Sequence, residues 1–187
     1  LFAGNEAGEI GGAIVLRNDT PHPSRLANSL IVRNRSRDAV LFANAMQIIN
    51  STIADNLGRG IVTQRGMLVI GRITAEDYAI HLTNSLVFSN VGGNCTGDIF
   101  MDEGRNVQFP DASCGASIIV AYPWLDGRYA PYDWSPARFG GDDDVCASPP
   151  ISGIDLFGER RAQAGSCSIG AVEQSVDRIV RPPEDRG

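Results

Sequence analysis

One short phrase occurs three times in this chain and constrains its fold more than any other feature. Residues 28–34, 50–56 and 84–90 each read Asn-Ser, then a short apolar strand, then Asn. A phrase that returns every few tens of residues is typical of stacked repeats, in which each repeat covers the hydrophobic face of its neighbour. The sequence therefore predicts an all-β solenoid.

The spacing of the phrases predicts the size of one coil. Their first residues, Asn28, Asn50 and Asn84, are separated by 22 and then by 34 positions. Three strands of about five residues with short turns use roughly 20 to 25 residues, so the first interval fits one triangular coil. The second holds a coil plus an insertion, for which we expect a degenerate coil at 67–73 and a protruding loop at 76–78.

We divide the chain into coils over residues 1–120, a C-terminal capping segment over 121–173 and an extended tail over 174–187. Leu1 is not an initiator Met and falls inside a coil, so we expect further coils upstream.

The alternation within the phrases groups apolar side chains on one face, although the sequence leaves open which face is internal. We expect an interior position for the following residues: Leu30, Val32, Leu86, Phe88 and either Thr52 or Ile53. The final asparagines of the phrases recur at one place in each coil. We expect these residues, Asn34, Asn56 and Asn90, to stack as a structural ladder of side-chain amides.

Charge and hydropathy exclude two classes of partner. The net charge of −6 and a pI near 4.8 argue against nucleic acid, which requires a basic stripe. No apolar run approaches the roughly 20 residues that span a bilayer. We therefore expect no transmembrane segment.

Four cysteines in an exported chain favour two disulfides, with three possible connectivities. Proximity in the sequence favours Cys95 with Cys114 and Cys146 with Cys167. Zinc binding is disfavoured because no Cys-x-x-Cys pair occurs.

Two C-terminal stretches leave alternatives open. The aromatic residues within 122–134 predict either a plug over the open end of the coil or a platform for sugar rings. The acidic turn at 140–144 predicts a solvated loop, with Ca²⁺ as the alternative ligand; no other cofactor or metal is expected.

Several stretches together resemble a known family. The three phrases, residues 93–95, 104–107 and 135–137, and above all 155–161 and 167–173, are similar to right-handed parallel β-helix proteins with a choice-of-anchor Q-type C-terminal domain, which have a pectin-lyase-like fold. The resemblance implies a bacterial surface or exported protein, and we therefore expect an extracytoplasmic location: secreted, periplasmic or on the cell surface. The chain departs from the family at Ser168, where Asp is usual, and between 135 and 155. The short, polar stretch at 174–187 leads us to expect that the family's C-terminal sorting signal is missing.

The sequence supports two functions. The first is a non-enzymatic scaffold, adhesive or structural subunit that contacts protein neighbours or surface carbohydrate. The alternative is a polysaccharide lyase or glycoside hydrolase acting from the outer face, which requires paired carboxylates or an acidic cluster with a base. Its candidates are few, and we assign no catalytic residue: Asp38, Asp55, Glu76, Asp77, Arg72, His22 and His81.

Overall fold

The computed structural model describes residues 1–17, 22–63, 76–97, 100–163 and 165–174. Within these residues fifteen short strands pair in parallel into three sheets, which confirms the predicted predominance of β structure. Helix is limited there to a 3₁₀ turn at Glu76–Tyr78 and to α1 at Asp143–Ala147. No helix in the described part of the chain is long and apolar enough to cross a membrane.

Successive strands along the chain belong to different sheets. The first sheet orders β1 (Phe2–Ala3), β5 (Leu30–Val32), β8 (Thr52–Ala54), β11 (Leu86–Phe88), β14 (Val107–Phe109) and β15 (Ile119–Val120). The second orders β4 (Ser24–Ala27), β7 (Met46–Ile49), β10 (Ile80–Thr83) and β13 (Phe100–Asp102). The third orders β2 (Glu6–Ala7), β6 (Arg35–Ala43), β9 (Leu57–Val62) and β12 (Cys95–Thr96), and β3 (Ile14–Leu16) pairs with the end of β6.

Left-handed corners bound the strand of each phrase. Within the three phrases, six residues have φ between 43° and 56°: Asn28, Asn50 and Asn84 before the strands, and Arg33, Asp55 and Ser89 after them. Asparagine tolerates this region better than most residues because its short polar side chain bonds locally. Each phrase therefore encodes one three-residue strand between two sharp changes of direction.

The second and third phrases occupy adjacent strands despite their longer separation. Thr52 lies opposite Leu86, so the additional residues are accommodated between the end of β9 and the start of β10. The predicted coil at 67–73 lies outside the described residues. The expected protruding loop at 76–78 is wrong for Tyr78. This residue is buried, and its carbonyl accepts a hydrogen bond from Ala45 N–H.

Side chains from all three sheets meet in one hydrophobic core. The first sheet contributes Ile31, Ile53 and Val87, which lie opposite one another in register. The other two sheets contribute buried side chains that include Ile48, Ile61, Ile80 and Leu82. Each large aliphatic side chain buried in this way contributes about 1.5–3 kcal/mol.

The predicted interior face of the phrases is wrong. Leu30, Val32, Leu86 and Phe88 lie on the opposite face of the first sheet from the core, and of the two residues left open, Ile53 is the internal one. The outward residues are nevertheless buried, because the C-terminal segment packs over them with side chains that include Tyr129, Ala137, Ile169, Ala171 and Val172.

That packing also corrects the position expected for the C-terminal segment. It lies across the outer face of the first sheet, where Ala171 N–H bonds Thr52 Oγ1 at 3.0 Å, instead of plugging the open end. The end of the core is covered by residues 110–118, which place Cys114 and Ile118 in the core cluster. Gln108 continues the internal column after Val87 and donates its amide to Ile118 O at 3.3 Å.

Candidate functional site

Asparagine side chains form a continuous ladder from strand to strand. The side-chain amide of Asn5 donates to Asn34 Oδ1 at 2.9 Å. The side-chain amide of Asn34 donates in turn to Asn56 Oδ1 at 3.1 Å. Asn56 donates to Asn90 at 2.8 Å, and Asn90 donates to Asn94 at 3.1 Å. The last four are buried. The ladder joins successive strands and leaves these amides engaged within the protein.

The first asparagine of each phrase has a different role, which the sequence analysis missed. Asn28 donates to Ile154 O at 2.9 Å, and Asn84 both donates to Asp142 O at 3.2 Å and accepts from Asp142 N–H at 3.0 Å. Asn50 lies between them and contacts Cys146 Sγ at 3.4 Å. These asparagines form a docking column for the C-terminal segment, and their recurrence in the phrase was the available signal.

The serine of each phrase forms a second column beside the ladder. Ser29 N–H donates to Ser51 Oγ and Ser51 N–H donates to Ser85 Oγ, both at 3.2 Å. Ser85 N–H then bonds Asn106 Oδ1 at 2.8 Å. These hydroxyls therefore satisfy backbone groups at the corners and are not exposed as nucleophiles.

A buried ionic cluster holds the C-terminal segment against the strands. The Arg161 guanidinium lies 3.8 Å from Glu173 and donates to Ser168 O, Gly170 O and Asn28 Oδ1. Burial lowers the pKa of Arg161, while the nearby carboxylates oppose that change. Ser168 donates its hydroxyl to Glu173.

Both disulfides lie at points where the chain leaves the regular strands of the three sheets. Cys95 and Cys114 join β12 to residues 110–118, with a Cα separation of 5.0 Å. Cys146 and Cys167 join α1 to the last described residues, with a Cα separation of 6.6 Å. Each bridge therefore fixes an irregular segment against the strands.

The aromatic residues divide into exposed and anchoring members. Trp124 is 50% exposed and meets Tyr122 edge to face at 5.1 Å, while Tyr132 stacks on Trp134 at 4.9 Å. Tyr129 is buried, and its hydroxyl donates to Asp55 Oδ2 at 2.8 Å. Burial and this hydrogen bond to a carboxylate raise the pKa of Tyr129 to about 12.

The candidate catalytic residues are dispersed. Asp38 pairs with Arg59 at 3.0 Å on the third sheet, and Asp55 bonds the C-terminal segment. His81 lies within β10, and its Nδ1 is 2.7 Å from Glu103 Oε1. Arg72 and the Glu76 side chain lie outside what the structure describes.

The acidic turn is used for local backbone contacts. Asp142 is the N-cap of α1 and accepts from Asp144 N–H at 2.9 Å and from Val145 N–H at 3.3 Å. Asp143 accepts from Cys167 N–H at 2.8 Å. Across residues 1–17, 22–63, 76–97, 100–163 and 165–174 no three metal-ligating side chains of the His, Cys, Asp or Glu type form a group that could hold an ion.

The chain matches no protein-family model, no curated protein and no solved structure.

Proposed function

We propose that this protein is a non-catalytic scaffold of the cell surface or an extracellular assembly, built as a right-handed parallel β-helix of the choice-of-anchor Q type. The asparagine ladder carries the proposal. The polar side chains that recur from coil to coil join neighbouring coils by hydrogen bonds, such as that from the Asn56 amide to Asn90 Oδ1 at 2.8 Å. They are therefore not available for catalysis. Such ladders favour a rigid rod that presents its outer faces to protein neighbours or surface carbohydrate.

The strand order supports the β-helical part of the proposal. The chain passes from the first to the third and then the second sheet before it returns to the first, as β5, β6, β7 and β8 do. Parallel pairing between consecutive passes, such as β5 with β8, is what stacked coils require.

The disulfides support the location outside the cytoplasm. Bridges that persist are typical of oxidising compartments, and both bridges here fix an irregular segment against the strands. The protein should carry no free thiol when exported to a bacterial periplasm. Purification of a fully reduced chain with unchanged stability would contradict this assignment.

A second candidate is a polysaccharide lyase or glycoside hydrolase, and one contact favours it. Glu103 orients His81 on the outer face of the second sheet, and Gln47 lies beside His81 in register. An imidazole held by a carboxylate at one nitrogen can act as a base at the other.

A turnover assay separates the two functions. Purified protein is incubated with neutral and acidic polysaccharides, and new reducing ends and unsaturated products are measured. The scaffold proposal predicts the same background for the native protein and His81→Ala. Turnover by the native protein that His81→Ala abolishes would replace the scaffold with the enzyme.

A further inference from the structure

A shallow groove crosses the outer face of the third sheet. It encloses about 570 Å³ and runs across the strands, from β2 over β6 and β9 to the turn after Asn90. Its lining is contributed by all four of these segments: Glu6, Ala7, Gly8, Arg35, Ser36, Arg37, Leu57, Gly58, Val91 and Gly92.

The floor of the groove has to remain backbone. A Cβ on Gly58 would lie 2.8 Å from Ser36 O, and a Cβ on Gly92 would lie 2.8 Å from Arg59 N. Both contacts are too short for a side chain, and both involve backbone atoms that cannot give way without moving a strand. The close approach of neighbouring strands therefore requires glycine at both positions, so neither residue contributes a side chain to the groove.

The groove is rimmed by arginine in a chain whose net charge is −6. Arg35 pairs loosely with Glu6 at 3.7 Å, and both side chains are well exposed. Arg37 is exposed and forms no ion pair with any residue the structure describes, so its guanidinium is free to take a carboxylate.

Aliphatic side chains supply the other part of the rim. Leu57 is 53% exposed and Val91 is 75% exposed. No aromatic ring belongs to the lining, although aromatic faces are what sugar rings stack on. Guanidinium groups beside aliphatic side chains match a peptide that carries both carboxylates and apolar side chains.

The geometry points to a binding site for an extended acidic segment of a partner protein. This inference rests on the proposed scaffold function and names the chemistry of its protein neighbour. Four coil segments at about 4.8 Å spacing give a length of roughly 14 Å, which holds about four extended residues. A partner carboxylate pairs with Arg37, and a neighbouring apolar side chain packs on Leu57 and Val91.

Peptide binding tests the inference. The probe is a fluorescein-labelled peptide of eight residues in which glutamate and valine alternate, and its counterpart carries lysine in place of glutamate. Fluorescence anisotropy at low ionic strength should show binding of the acidic peptide only. Arg37→Glu should weaken that binding at least about tenfold, since it replaces an attraction by a repulsion.

Two further variants separate the groove from general charge effects. Arg17→Glu makes the same change in charge at an exposed arginine outside the groove lining and should alter the dissociation constant by less than about twofold. Val91→Ser keeps the charge and should weaken binding severalfold through lost apolar contact.

Four results would overturn the inference: no binding of the acidic peptide, equal binding of the lysine peptide, equal losses from Arg17→Glu and Arg37→Glu, or tighter Arg37-dependent binding of polygalacturonate than of the peptide. The scaffold proposal fails separately. Turnover of a polysaccharide would refute the scaffold proposal even if the acidic peptide binds. Failure of the peptide to bind would refute only the groove inference, because it does not affect the turnover assay.

Discussion

Replacing Arg161 by methionine should release the C-terminal segment from the first sheet. The arginine side chain is 1% exposed and donates to three carbonyl oxygens and to Asn28 Oδ1, in addition to its ion pair with Glu173. Methionine fills similar space but leaves the Glu173 carboxylate buried without its countercharge. Breaking a buried pair in this way costs about 3–5 kcal/mol, so we expect a loss of about 4 kcal/mol.

Chemical denaturation followed by two probes measures this loss and locates it. The tryptophans Trp124 and Trp134 belong to the C-terminal segment, so their fluorescence reports the segment, while circular dichroism reports the strands. In Arg161→Met the fluorescence transition should shift to lower denaturant than the dichroism transition. Coincident transitions, or a loss below about 1 kcal/mol, would refute the role assigned to Arg161.

Asn28→Gly is the matched control. It removes the two side-chain hydrogen bonds to the C-terminal segment but keeps a residue that accepts the left-handed φ of 46°. A loss of about 1–2 kcal/mol is expected, since Glu173 retains its guanidinium partner. A loss equal to that of Arg161→Met would assign the effect to the corner and not to the buried charge.

Three other perturbations test the ladder, the tyrosine and the second disulfide. Asn56→Ala should lower the free energy of unfolding by about 2–3 kcal/mol, because it leaves buried hydrogen-bonding partners unsatisfied on both sides. Asn5→Ala, at the exposed end of the same column, should lower it by less than about 1 kcal/mol. Equal losses in urea denaturation would argue against the ladder. The pKa of Tyr129 is raised to about 12 in the folded protein, so the contribution of this phenol to stability is present below pH 10 and is lost as the pH rises towards 12. The chain contains no lysine that would titrate in that range. In a pH titration followed by absorbance at 295 nm, the native protein should show one phenol that ionises near pH 12, and Tyr129→Phe should lack that step. Replacing both Cys146 and Cys167 by serine should lower the free energy of unfolding by about 3 kcal/mol, because it opens a loop of 21 residues. A thermal midpoint equal to that of the oxidised native protein would contradict this prediction.

The strands and ladder positions were accessible to sequence reasoning because they depend on local chemistry. Asn-Ser at the start and Asn at the end of each phrase mark left-handed corners and stacked amides, both of which the residue types favour by themselves. The interior face was not accessible. All three positions of β5 are apolar and buried, so no alternation distinguishes the core from the outer face.

The docking of the C-terminal segment was beyond any local pattern. Arg161 bonds Asn28 across 133 positions, and Ala171 bonds Thr52 across 119. Nothing near Asn28 in the sequence indicates which distant carbonyl or guanidinium it meets. For the same reason the first asparagines of the phrases were read only as markers of spacing.

The repeated phrase by itself determined short parallel strands, their spacing and the column of asparagines, because corner geometry and amide stacking are written into neighbouring residues. Only the tertiary structure decided which face of the first sheet is internal, where the C-terminal segment packs and that Arg35 and Arg37 border one groove. Those outcomes depend on which surfaces exclude water together, and that is set by contacts between residues far apart in the chain.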